Sequence, residues 1–402
     1  MGKQKYTKKL QSQQRSDNSN KIYYKIMSKT IKQILLFSTL LFLLTPIFVL
    51  AQSSDEIFKA EVVEILQEKE FIGEGSSKSI QQNIKLKGLK DDWQDKEIIF
   101  QGINDYQVIK NNIYEVGDKV LVAFSPGPGG EENYYITDYI RHPSLYWLAL
   151  IFVILVALIG KWKGLRALIG LLASFFVIMK IIVPKILAGS NPLAISIFGS
   201  ILILLLVVYL TEGINKKSHL AILSVTISLI IVGILSVLFA NISKLTGMAQ
   251  EEAMFLISFG KGMISFKGLL LAGIIIGTLG VLDDAVISQI ASVEQIKKAN
   301  SDLSKKEVYI KAMKIGVSHM SSMINTLFLV YAGASLPLLL LFTINEPPFQ
   351  TFNHIINNEI IAIEIVRALA GSIGLILSIP IATFLASWFL KKEKIKNKLQ
   401  NN

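Results

Sequence analysis

The chain contains no cysteine, which excludes disulfides and thiolate metal sites. Compartment stays open on that score, because an external domain can do without disulfides. A zinc-type Cys/His spacing is missing, and so is any basic run interleaved with aromatics of the kind that binds RNA. Charge is sparse: 18% of the 402 residues are charged against 51% hydrophobic. Several apolar runs reach the roughly 20 residues that cross a bilayer. The reading is therefore an all-α polytopic membrane protein, with a small β-domain at one point along it. The formal net charge of +11 is read by location, as a topology signal, and not as a nucleic-acid signal.

Residues 1–30 are polar and basic, a cytoplasmic tail of disordered composition. Residues 31–51 form an apolar signal peptide or signal anchor. Val49-Leu50-Ala51 before Gln52 resembles a cleavage site, while the length of the run suits an uncleaved anchor equally well. Residues 55–140 change character. Short alternating or β-branched stretches at Ala60–Leu66, Ser79–Leu86, Lys96–Phe100, Lys119–Phe124 and Asn133–Tyr139 are separated by turn-rich segments. Five short strands predict a small extracytoplasmic β-barrel or sandwich, an oligonucleotide-binding-like barrel being one option. No catalytic constellation stands within it, and a stabilising or docking role is its plainest reading.

From residue 143 to 390 the chain is membranous. Seven spans are expected near Leu145–Ile159, Leu165–Val183, Leu193–Leu210, Leu220–Ala240, Phe266–Ile290, Ile315–Leu341 and Ile360–Leu390. The last two exceed the minimum length and are candidates for tilting or breaking. Gly247–Gly260 reads as a short helix on the outer surface. Every second connection is lysine-rich: Lys161, Lys163 and Arg166; Lys216 and Lys217; Lys297 to Lys314; and the tail 391–402. The alternate connections are poor in basic residues. This pattern predicts a multi-pass membrane protein with residues 52–142 outside and the C-terminus in the cytoplasm.

The fifth span, LLLAGIIIGTLGVLDDAVISQ, carries adjacent carboxylates at Asp283 and Asp284. An ionisable group inside a span costs several kcal/mol unless paired or hydrated, which makes it a functional candidate. At 100° per residue Gly273, Gly277, Gly280, Asp284 and Ser288 share one face. The glycines suit close helix packing, and Asp284 is expected to point into a helix contact. Asp283 points about 100° away. In the next span His319 falls at nearly the same depth, with Ser318, Ser321, Ser322, Asn325 and Thr326 around it. Lipid offers such groups no partners, so the carboxylates are their expected ones. Together they have the makings of a proton or small-ion relay: Asp283, Asp284 and His319 as carriers, with Ser318, Ser322, Asn325 and Thr326 in support. The alternative is that the same groups only lock helices together in a scaffold or sensor. Glu364 and Arg367 form an i, i+3 pair on the last span.

An enzyme is not expected. Diaspartyl proteolysis needs its two acids on facing helices, and no serine stands in a nucleophile elbow near His319. Nothing fixes a metal-ligand geometry, and no cofactor is implied. The expected partners are the bilayer, protons or small ions, and a second copy or another membrane protein; no nucleic acid is expected.

Three separated motifs carry a resemblance. GTLGVLDDAVISQ (Gly277–Gln289), HMSSMINTLFLVYAG (His319–Gly333) and EIVRALAGSIGLILSIP (Glu364–Pro380) resemble the YibE/F family of bacterial multispan membrane proteins. Tyr114–Val122 and Asp138–Leu148 look like that family too. The segment Gly277–Ala285 is also similar to the GxxxDDA-like span of proton-driven pumps of the resistance–nodulation–division type. That similarity implies Asp283 and Asp284 as a proton relay. The large external pore domains, the duplicated halves and a lysine at relay depth that mark those pumps are missing here.

Overall fold

A computed structural model describes residues 56–72, 78–103, 113–126, 132–249, 253, 256, 264–344, 347 and 349–390. Both basic tails, the signal or anchor run and most of the expected surface helix over Gly247–Gly260 lie outside the described residues. The chain divides into two compact units that part between Leu155 and Val156.

The first unit holds all five expected strands: β1 (Glu56–Ile72), β2 (Lys78–Gly88), β3 (Glu97–Gln101), β4 (Lys119–Pro126) and β5 (Glu132–Tyr139). They form one antiparallel sheet in the order β3-β2-β1-β4-β5. Period-2 alternation is the cause. Phe58, Ala60 and Val62 on β1, Ile84 and Leu86 on β2, Ile98 and Phe100 on β3, and Val120 and Val122 on β4 are all buried. Each large apolar side chain buried this way stabilises by roughly 1.5–3 kcal/mol. β1 is long because it serves both halves of the sheet. Its start pairs with β4, and its remainder pairs with β2 through two register shifts, the bulges that bend a strand. The edges β3 and β5 approach each other without pairing, so the sheet is a partly open half-barrel. Trp93 closes one end by stacking on Phe58, ring centroids 4.2 Å apart. Buried Gln82 closes another, accepting from the Tyr114 backbone N–H at 2.8 Å and donating to its carbonyl at 3.2 Å.

Among the described residues six helices are long and apolar enough to cross a membrane. The first is α1 (His142–Val177), which runs on through a π-helical stretch at Ile178–Ile182 into α2 (Val183–Leu187). These 46 residues would reach about 69 Å if straight, over twice the hydrocarbon thickness. They are not straight. Lys161 has φ 48° and ψ −134°, and a Cβ on Gly164 would stand 2.3 Å from the Val156 carbonyl oxygen. Lys161 therefore breaks the helix, and Val156 and Gly164 meet across the break. The other spans are α3 (Pro192–Thr211), α4 (Lys216–Ile242), α5 (Phe266–Ala299), α6 (Lys305–Ala334) and α9 (Glu359–Phe389); α7 (Leu336–Ile344) and α8 (Phe352–Ile356) are short. The sixth expected span is indeed broken, at Ser335 between α6 and α7.

α5 is the centre of the helical unit, packed against α3, α4, α6 and α9. Its most apolar window is 56% buried, against 39% or less for the other spans. Contacts fix the relative directions. Gly268 meets Pro192 at the starts of α5 and α3, and Gly371 meets Thr278 while Thr383 bonds Gln289 farther along. So α3, α5 and α9 run parallel, with α4 and α6 antiparallel to them. The lysine-rich connections among the described residues thereby gather at one end of the bundle. At the other end Glu359, in the first turn of α9, accepts from the Gly247 N–H at 2.9 Å and the Thr246 hydroxyl at 2.8 Å.

Candidate functional site

The carboxylate pair lies nearer the middle of its helix than the apolar pattern predicts. The expected span stopped at Ile290, whereas α5 continues to Ala299. Ser292, Glu294, Gln295, Lys297 and Lys298 are polar, but polarity does not end a helix, and Glu294 is held by two lysines. Asp283 thus stands about 26 Å from the start of α5 and Asp284 about 23 Å from its end. Asp283 is half-buried and Asp284 is exposed. The Asp284 N–H donates to Asp283 Oδ1 at 2.9 Å. Among the described residues no basic side chain pairs with either carboxylate.

The face shared by Gly273, Gly277, Gly280, Asp284 and Ser288 is exposed along its whole length. A Cβ on Gly273 or Gly280 would meet nothing within 4 Å, and one on Gly277 only the Tyr331 hydroxyl, at 3.7 Å. Among the described residues Asp284 therefore does not point into a helix contact. The opposite face, with Thr278, Leu282, Ala285 and Gln289, makes the contacts to α4, α6 and α9. Close approach runs through other glycines. A Cβ on Gly374 would stand 2.2 Å from Val232 Cγ2, and one on Gly316 would stand 2.6 Å from Ile379 Cγ2.

On α6 Ser318, Ser322, Asn325 and Thr326 are exposed and His319 is half-buried. The Thr326 hydroxyl donates to the Ser322 carbonyl, which satisfies it within its own helix. Gly316 is level with Gln289, so His319 and Asp284 lie within roughly 3 Å of each other along the helix axes. No hydrogen bond joins His319 to Asp283 or Asp284 among the described residues. The groups share a level along the bundle without being wired together.

Glu364 and Arg367 do pair, at 2.7 Å, both half-buried. The Arg367 Nε is buried without a hydrogen-bond partner. One turn on, Gly371 leaves room for Thr278 Oγ1 and the Tyr331 hydroxyl, 3.3 and 3.9 Å from where its Cβ would be. A polar seam therefore joins α5, α6 and α9.

Two residues gained roles that the pattern did not show. The buried Gln289 amide donates to the Ala312 carbonyl at 3.0 Å and to Thr383 Oγ1 at 2.7 Å, tying three helices together. Its place at the end of the carboxylate motif was the available signal. Lys297, 5% exposed, donates to the carbonyls of Ala386, Ser387 and Leu390 at 3.2, 2.7 and 2.7 Å. It caps the C-terminal end of α9, where helix carbonyls lack partners and a cation is favoured. In the sequence it counted only toward topology.

Compared with known proteins, the sequence matches the family described as YibE/F-like protein over residues 148–392. The match covers more than half of the chain, so the chain belongs to that family. It takes in the helical unit and all three resembling motifs, and it stops short of the β-unit. No curated protein and no solved structure matches the chain.

Proposed function

We propose that this member of the YibE/F-like family moves protons or another small cation across the bacterial plasma membrane, with Asp283 and Asp284 as the carriers. The observation that carries the reading is the adjacent pair of carboxylates, midway along the most buried span and without a basic partner among the described residues. A carboxylate at such depth costs about 2.5–3.5 kcal/mol or more. Binding a proton or a cation removes that cost, and releasing it restores the cost, which is the property a carrier needs. His319, Ser318, Ser322, Asn325 and Thr326 lie at or near this level along the bundle and would pass the ion on through bound water. The protein is read as a transporter component and not as an enzyme. Seven crossings, with residues 52–142 outside and the C-terminus inside, complete the reading. The β-unit would gate access or recruit a partner.

The test is ion flux in proteoliposomes. Asp283→Asn and Asp284→Asn keep the shape and lose the exchangeable charge. Each is expected to lower proton-driven flux by at least about tenfold, below the roughly 10²–10⁴-fold that a positioned proton-transfer group typically contributes, with membrane accumulation unchanged. Normal flux together with reduced accumulation would instead make the pair a packing device in a scaffold or sensor.

A further inference from the structure

At the lysine-rich end of the bundle a cavity of about 250 Å³ opens between the start of α4, the last turns of α5 and the end of α9. Lys216, Lys217, Lys297 and Lys298 line it together with one acid, Glu294. Four ammonium groups against one carboxylate leave an excess of three positive charges. Glu294 bridges two of the lysines, with Lys217 at 2.6 Å and Lys298 at 3.0 Å. Lys297 is held by the three carbonyls that end α9. The cations stand on two helices, α4 and α5, and Lys297 is tied to a third, α9. Repulsion between like charges gathered at one cavity favours an anion that enters between them.

Depth narrows the anion. Glu294 lies roughly 16 Å along α5 from Asp283. A span centred on the carboxylate pair leaves a hydrocarbon core of about 30 Å, roughly 15 Å to each side, before Glu294, so the cavity opens at the level of lipid phosphates. Leu390 supplies an apolar wall beside the charges. We propose that this cavity is a phosphate-binding site, filled by the headgroup phosphate of an anionic lipid or by free phosphate. Lys216, Lys217 and Lys298 are the recognising groups, and Lys297 holds the end of α9 as one wall. The site is independent of the carboxylate pair.

Native mass spectrometry of the full chain in detergent tests it, with phosphatidylglycerol, phosphatidylcholine and inorganic phosphate as probes. Phosphatidylglycerol is expected to be retained in preference to phosphatidylcholine. The double variant Lys216→Gln/Lys298→Gln should lose about thirtyfold in that affinity, at the weight a basic side chain carries near anionic lipid. Glu294→Gln should strengthen binding, since it removes the competing carboxylate, and misfolding would not produce that gain. Retained phosphatidylglycerol that excess inorganic phosphate fails to displace assigns the site to a lipid. Binding of inorganic phosphate alone, lost in the double variant, assigns it to the free ion. Equal retention of both lipids with no binding of inorganic phosphate, or binding that neither variant changes, would overturn the proposal.

Discussion

At the scale of the residue, the helical wheel correctly grouped Gly273, Gly277, Gly280 and Asp284 on one face but could not say which neighbours that face would meet. Co-facial spacing is a property of one helix; which face is buried is a property of the bundle. The glycines that matter inside this chain are those whose missing Cβ is already occupied. Gly374→Ala would drive a methyl into Val232, whose β-branched side chain has one favoured rotamer on a helix. Overpacking of this kind costs about 1–3 kcal/mol. Gly273→Ala meets open space and gains roughly 1 kcal/mol of helix propensity. Thermal unfolding in detergent should therefore fall for G374A and hold or rise for G273A. A G273A protein as weakened as G374A would show that the open face is packed in solution. Lys297 makes a related point. A charge counted on the sequence is a vote for topology, whereas its three carbonyl partners sit some 90 residues away and are visible only in the fold.

At the scale of the element, the β-unit was the most legible part. Alternation and turn residues are local causes, and each expected strand appeared. What sequence missed was the length of β1, because its added residues are paired by two different partners and not by a stronger pattern of their own. The helices were legible in place because apolar length is local, while the reach of α5 to Ala299 runs through polar residues that no apolar pattern marks. The β-unit also has a measurable pH limit. Burial, with the hydrogen bond to Glu132 at 2.5 Å and that carboxylate's charge, pushes the Tyr134 phenol up to about 12. The folded state thus favours the protonated phenol. Its contribution to stability is complete below the unfolded value near 10 and is lost as pH rises through 10 toward 12. Difference absorbance of the full chain should show one phenol ionising near pH 12. Tyr134→Phe should remove that transition and flatten this part of the alkaline stability loss. A wild-type unit in which every tyrosine ionises near 10 would contradict the buried geometry.

At the scale of the whole molecule, one residue sets the parity of the topology. If the chain doubles back at Lys161 within the membrane system, α1 contributes two crossings, and the β-unit and the C-terminus lie on opposite sides. If that stretch crosses once, they lie on the same side. The lysine-rich connections meet at one end of the bundle, and a basic end is held in the cytoplasm by the cost of translocating it. The absence of native cysteine makes the test clean. Asp92, Asn300 and Asn353 are all exposed, so each accepts a single introduced thiol. Asp92→Cys and Asn353→Cys are expected to react with a membrane-impermeant maleimide in intact cells, and Asn300→Cys only after permeabilisation. Reaction of Asn300 with protection of Asn353 would invert the bundle. Reaction of Asn353 with protection of Asp92 would remove one of the two α1 crossings and leave the bundle in place. The distinction reaches the proposed mechanism, because a β-unit on the cytoplasmic side could not gate the outer access to Asp283 and Asp284, and recruitment of a partner would become its remaining role.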